Sequence, residues 1–175
     1  MQQSLHKLLE TKDFDKISVH EIADAATVNR ATFYDHYGDK FALLECMVGS
    51  RFHELLQERQ VVFNGGCSGA LKALVLALCD YLTQLQGGDP KRPLQPHMES
   101  AVIAVLRRIL LDGAKEHRPP PEVSPEILAA TVSWALYGAA REWVHTPNRG
   151  SSEEIAQTLV KLVAPILEPL AAVRG

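Results

Sequence analysis

An all-α fold is predicted, with a three-helix headpiece over residues 1–45 and a larger helical unit over residues 46–175. Three observations predict it. Apolar residues recur at three- and four-residue steps along almost the whole chain, the spacing of one helix face. Two short segments between Ile17 and Tyr37 each carry their own helix-start signals. No stretch alternates apolar and polar residues over the length of a strand, and no internal repeat is present.

Leu5, Leu8 and Leu9 mark one face of a first helix, which ends in a short polar turn from Thr11 to Asp15 around Phe14. Ser18 and Glu21 then form a capping box, in which the hydroxyl takes one free backbone N–H and the carboxylate another. Ile17 and Ile22 hold the staple positions around it, and this second helix runs to about Ala26. Asn29 repeats the device as an N-cap, with Val28 and Phe33 as a second staple, and opens a short helix from Arg30 to Tyr37. Gly38 stops that helix. Asp39 starts the next, an amphipathic helix from Lys40 to about Gln60 that carries Leu43, Leu44, Met47, Val48, Phe52, Leu55 and Leu56 on one face.

Asn64-Gly65-Gly66 interrupts the chain, and an apolar helix from Ala70 to Leu85 follows. Gly87-Gly88-Asp89-Pro90, with Pro93 and Pro96, reads as a loop before a helix from Met98 to about Ala114. Pro119-Pro120-Pro121 closes that region. Ser124-Pro125-Glu126 is a helix start with proline at the first position, opening a helix to about His145. Pro147, Asn148 and Gly150 break it, and Ser151 or Ser152 caps a final helix from Glu153 to Leu167, which Pro165 is expected to kink or shorten.

Two capped helices joined by Thr27-Val28-Asn29 form a helix-turn-helix. In such a unit the first helix crosses the second and rests on the phosphate backbone, while the second offers its outer face to the major groove. Phe33 and Tyr37 fall together on the inward face. Ala31, Thr32 and Asp35 fall on the opposite side, with Tyr34 and His36 on the flanks, where a phenol and an imidazole reach phosphates. Bulk charge does not support the same reading. Up to Glu45 the chain has five lysines and arginines against eight acids, and the remainder balances. A DNA-binding headpiece ordinarily carries a positive field, so the expectation rests on geometry.

The run from Ile17 to Lys40, and above all Thr32-Phe33-Tyr34-Asp35-His36-Tyr37-Gly38-Asp39-Lys40, resembles the DNA-binding signature of the TetR family. The resemblance covers about residues 4–48 and implies a transcriptional regulator, most simply a repressor released by ligand. It implies a headpiece of three helices, a long fourth helix leading into a ligand-binding and dimerisation domain, and a homodimer built on the last two helices. The implied partners are palindromic operator DNA and a small-molecule effector. Positions matching Asn29, Arg30, Thr32, Tyr34, His36 and Lys40 contact operator phosphates or bases in that family, and Ala31 lies on the same outer face. Two departures stand out. Thr27 occupies a turn position where the family usually has glycine, which predicts backbone strain. Asp35 places an acid on the recognition face, able to accept from a cytosine amino group or to repel phosphate. The acidic headpiece leaves a second reading open: a TetR-like coactivator that binds a protein partner and has lost DNA.

In the second unit, Trp134, Tyr137 and Arg141 share one face of an otherwise small-residue helix. They are candidate ligand-binding residues, aromatic walls with one charged anchor for an acidic or hydroxylated molecule; core or dimer packing is the alternative. Ala135, Gly138, Ala139 and Ala140 would let another helix approach closely, which suits a dimer seam with the last helix. His97 and Glu99 lack further partners with metal-ligand spacing, so no metal is expected. No cofactor motif, nucleophile elbow or phosphate-cradling loop is present, so no cofactor or enzyme activity is expected. Cys46, Cys67 and Cys79 have no paired metal spacing and read as buried free thiols of a reducing compartment. Residues 1–10 lack the apolar segment of a signal peptide, and no apolar run reaches the length of a membrane span, so a cytoplasmic protein is expected.

Overall fold

A computed structural model describes residues 1–59, 67–87, 96–115 and 124–171. Among these, eight α-helices form: α1 (Gln2–Leu9), α2 (Val19–Ala25), α3 (Arg30–His36), α4 (Lys40–Glu58), α5 (Cys67–Gln86), α6 (Pro96–Lys115), α7 (Pro125–His145) and α8 (Ser152–Ala171). A 3₁₀ turn covers Phe14–Lys16. The breaks expected at Asn64-Gly65-Gly66, at Gly88 through Pro93 and at Pro119-Pro120-Pro121 lie outside the described residues.

Two proline readings needed correction. Pro96 belongs to the first turn of α6 and not to a preceding loop. The first turn has no use for the missing N–H, and the fixed φ suits it. The chain also continues helically through Pro165 to Ala171.

The headpiece helices are fixed by the predicted caps. Ser18 Oγ accepts from Glu21 N at 3.2 Å, and the Glu21 carboxylate accepts from Ser18 N at 2.9 Å. The Lys12 ammonium also meets Glu21. That contact first, and the Ser18 N–H and hydroxyl after it, hold the Glu21 carboxyl well below its ordinary range, at about 2. Asn29 Oδ1 accepts from Thr32 N at 2.8 Å and Asp39 Oδ1 from Ala42 N at 2.8 Å, so α3 and α4 start on side-chain caps as well. Leu5, Phe14, Ile17, Ile22, Phe33, Leu43 and Leu44 are all buried. They make the headpiece core, against which Tyr37 packs half-buried.

In the body α5 packs on α8, α7 and α4, while α6 packs on α7 and α4. The α4–α5 contact is reinforced where the Arg59 guanidinium meets Asp80. Cys79 is fully buried, and burial, helped by the Asp80 charge, pushes its thiol up to about 12, which makes it an unreactive core residue. Trp143 is structural. Its Nε1–H donates to Gly150 O at 3.1 Å and the Arg149 guanidinium lies 4.4 Å from its ring centroid, closing the α7–α8 turn. No described helix is long and apolar enough to cross a membrane.

The strain predicted at the helix-turn-helix turn is present. Thr27 has φ 55°, a left-handed conformation that β-branched residues rarely adopt. Its hydroxyl donates to Ala26 O at 2.7 Å. Thr27→Asn, which tolerates this region, is expected to raise stability by about 0.5–1 kcal/mol. Thr27→Val, which keeps the branch, is expected to give no gain. Chemical denaturation midpoints of the two variants check this.

Candidate nucleic-acid interface and effector cleft

The outer face of α3 is open. Arg30, Ala31, Asp35 and His36 are exposed, Tyr34 is 50 % exposed, and Thr32 is half-buried. Phe33 anchors the helix from beneath with no exposure, its ring 5.4 Å from Tyr34 and 5.7 Å from Tyr37. Thr32 Oγ1 donates to Asn29 Oδ1 at 3.0 Å, so the two side chains brace each other at the start of α3. Asn29 is exposed, and its Oδ1 is the atom engaged by the cap, which leaves its amide N–H₂ out of those two bonds. The structure therefore brings Asn29, Arg30, Ala31, Thr32, Tyr34 and His36 to one edge of the headpiece.

Lys40 is placed differently. The resemblance puts it at a phosphate, but its ammonium turns inward. It donates to the carbonyls of Phe14 at 2.9 Å, Asp15 at 3.2 Å and Ile17 at 2.9 Å, and lies 4.7 Å from the Phe14 ring centroid. An ammonium has three donors, and all three are used. A phosphate would have to displace a carbonyl.

The pattern of the bacterial regulatory proteins of the tetR family matches residues 4–47. The headpiece is that of the tetR family. The uncharacterised HTH-type transcriptional regulator YxbF of Bacillus subtilis is 27 % identical over 152 residues, an alignment covering 68 % of this chain and 40 % of that protein. The chain thus spans well under half of YxbF. Two solved structures share the fold. A TetR transcriptional regulator from Streptococcus agalactiae superimposes with a TM-score of 0.53 at 20 % identity, covering 93 % of this chain and 90 % of its own. A TetR-family transcriptional regulator from Streptomyces coelicolor gives 0.54 at 17 % identity, covering 97 % and 96 %. The tetR-type headpiece accordingly sits on a helical body of the kind seen in those regulators.

In that body Trp134, Tyr137 and Arg141 line one open cleft of about 340 Å³ between α6 and α7, together with Glu99, Glu142 and His145. Sequence reasoning missed the last three. His145 continues the Trp134–Arg141 face by one further turn and was legible in principle. Glu99 comes from another helix, which no local pattern reveals. His145 is held by Nδ1–H donation to Arg141 O at 2.7 Å, and its Nε2 faces the Gln86 amide at 3.2 Å.

The three predicted residues do not play equal parts. Trp134 is 58 % exposed and Arg141 is exposed, whereas Tyr137 is 1 % exposed. The Tyr137 hydroxyl is buried and has no hydrogen-bond partner among the described residues. Burial first, and the nearby Glu99 charge second, push the phenol far above its ordinary pKa. Glu99 acts on the hydroxyl through its charge first and a weak side-chain hydrogen-bond contribution last, short of a fully formed hydrogen bond. A buried hydroxyl left unpaired costs about 1–3 kcal/mol, so this donor would gain from any acceptor entering the cleft.

Lys40→Met keeps most of the stem and removes all three donors. It is expected to lower stability by about 2 kcal/mol, the scale of losing hydrogen bonds from a charged group. Lys40→Arg is not expected to rescue it, because a planar guanidinium cannot aim three donors at converging carbonyls. A denaturation midpoint left unchanged in Lys40→Met would return Lys40 to a purely phosphate-contacting role.

Proposed function

We propose that the chain is a ligand-responsive, DNA-binding transcriptional regulator, acting as a homodimeric repressor that a small molecule releases. The capped helix-turn-helix with the open outer face of α3, on a tetR-type headpiece, carries this reading. Arg30, Tyr34, His36 and the Asn29 amide would meet phosphates at the groove edges. Ala31 and Thr32 are small enough to let the helix approach base edges, and Asp35 would accept from a cytosine amino group. The headpiece sequence is net acidic, so affinity would come from these local donors and not from a general field.

Dimerisation is supported by the outer faces of α7 and α8. Ile127 is 66 % exposed and Trp134 58 % on α7, while Leu162 is 65 % and Ile166 40 % exposed on α8. Ala135 and Gly138 lie on the same open side of α7, whereas Ala140 points into the protomer's own core. Large apolar side chains beside small residues suit a helix-on-helix seam between two copies.

The test uses an operator selected by the wild-type protein from random duplexes. Two protomers are expected per duplex in sedimentation. Tyr34→Phe and Arg30→Ala are each expected to weaken binding roughly five- to tenfold, similarly across variants of the site, with native circular dichroism. Arg30→Ala should also lower the salt slope by about one. Leu162→Glu is expected to give a monomer that binds poorly. Failure to select any duplex would overturn the DNA reading.

The effector, on this reading, occupies the α6–α7 cleft. Arg141 would anchor an acidic or hydroxylated aromatic molecule, Trp134 would stack on its ring, and the Tyr137 hydroxyl would donate to it. A second copy seated on this face would roof the cleft, which links occupancy to the dimer arrangement. A thermal-shift screen of aromatic acids and phenols is expected to give a binder that adds about 2.7 kcal/mol at a hundredfold excess over its dissociation constant. The shift should vanish in Arg141→Ala and Trp134→Ala. Tyr137→Phe should stabilise the free protein while weakening the binder. A shift that survives all three changes would place the effector elsewhere.

A further inference from the structure

The α6–α7 cleft brings an acid, a base and a hydroxyl together without pairing them. The Glu99 carboxylate comes from α6, and the Tyr137 hydroxyl and Arg141 guanidinium come from α7. Tyr137 is 1 % exposed, and its hydroxyl has no hydrogen-bond partner among the described residues. The Glu99 charge raises the pKa of that phenol and the Arg141 charge lowers it, so opposite charges stand on either side of one buried hydroxyl. Among the described residues no ion pair joins Glu99 to Arg141. His145 differs, since both its ring nitrogens are spent inside the protein, on Arg141 O and on the Gln86 amide. Trp134, 58 % exposed, lies one turn before Tyr137, and Arg141 lies one turn after it, all on one face.

We propose that this cleft takes an aromatic amino acid as its zwitterion, with the carboxylate on Arg141, the ammonium on Glu99 and the ring on Trp134. This specifies the class of the small molecule and rests on the cleft being the effector site. Charge balance favours it. The fixed charges of the lining are two acids, Glu99 and Glu142, and one base, Arg141, a net of one minus two, or −1. An aromatic acid with no amino group would gain Arg141 but face both carboxylates. An aromatic amine with no carboxylate would gain Glu99 but face Arg141. Each would leave a charged wall partly dehydrated and unmatched, which is how a site rejects the wrong ligand. A molecule that carries both signs matches both walls. Burial and the Glu99 charge keep the Tyr137 phenol protonated, so it donates to the carboxylate that Arg141 holds. A cleft of about 340 Å³ is at the small end of ligand sites, which suits a molecule of this size. Among the described residues no group of three His, Cys, Asp or Glu is placed to hold a metal ion, which leaves the two carboxylates to an organic cation.

Titration calorimetry on the full chain at neutral pH tests this with three probes: L-phenylalanine, phenylpropionate and phenylethylamine. They share one ring and carry both charges, the negative charge alone and the positive charge alone. Phenylalanine is expected to bind about tenfold more tightly than either of the others. Glu99→Gln is expected to weaken phenylalanine about tenfold and to leave phenylpropionate unchanged or tighter, because a repelling carboxylate is gone. Arg141→Gln should weaken phenylalanine and phenylpropionate by similar factors and spare phenylethylamine. A variant that only disturbed packing would weaken all three probes together, so the crossed pattern separates charge matching from damage to the fold.

Phenylpropionate binding as tightly as phenylalanine to the unaltered protein overturns the zwitterion and leaves a purely acidic effector in the same cleft. Phenylethylamine binding as tightly as phenylalanine overturns it as well, and removes the anchoring role of Arg141. An equal loss of all three probes in Glu99→Gln also overturns it. If none of the three binds, the amino-acid class falls, and the thermal-shift screen of aromatic acids and phenols decides by itself whether the cleft takes an effector.

Discussion

The Lys40 ammonium organises the headpiece. Between α1 and α2 the chain makes a single 3₁₀ turn, in which Phe14 O accepts from Ile17 N at 3.1 Å. One positive charge gathers three carbonyls, at Phe14, Asp15 and Ile17. This ties residues early in the chain to the first residue of α4, well over twenty positions away. Phe14 is thereby driven under α4, Ile17 is set as the lower half of a hydrophobic staple, and Ser18 is presented as the cap of α2. The orientation of α3 follows from α2 through the Thr27 turn. The outer face of α3 is thus positioned by a contact made outside α3 itself.

That contact also explains a tolerated defect. Thr27 sits in a left-handed conformation that glycine would occupy without cost. Its neighbours over-determine it: the Ser18 box holds one end of α2, Asn29 caps α3, and Phe33 is sealed in the core. A helix pair this constrained accepts a strained residue at its corner, at an expense of about a kilocalorie per mole in stability.

The body is arranged around an unevenly used α7. One side carries Leu128, Val132, Leu136, Ala140 and Val144 into the core. The other leaves Ile127 and Trp134 in the open and shares Arg141 with a cleft that ends on a phenol with no hydrogen-bond partner among the described residues. Neither feature serves the stability of a lone protomer. Exposed large apolar groups and a buried unsatisfied hydroxyl are both costs that a second copy or a small molecule would offset.

Helix identity and order were legible in the sequence because they depend on neighbours three and four residues apart. Leu43 through Leu56 set the buried face of α4, and Ser18 with Glu21 and Asn29 with Thr32 fix helix starts using only local atoms. The outward group on α3 was legible for the same reason, since Phe33 and Tyr37 define the inward side. What the sequence could not determine depends on contacts between distant segments. Lys40 read as a phosphate ligand from its motif, and only the fold brought Phe14, Asp15 and Ile17 within reach of its ammonium. His97 read, with Glu99, only as a metal-ligand pair lacking further partners, and only the packing of α6 laid it on Asp15 and Phe14, some eighty residues earlier in the chain. Trp134, Tyr137 and Arg141 shared a face on paper, but periodicity cannot say that Tyr137 is sealed while Trp134 is bare. That outcome depends on where α6 lies against α7, which tertiary packing alone decides.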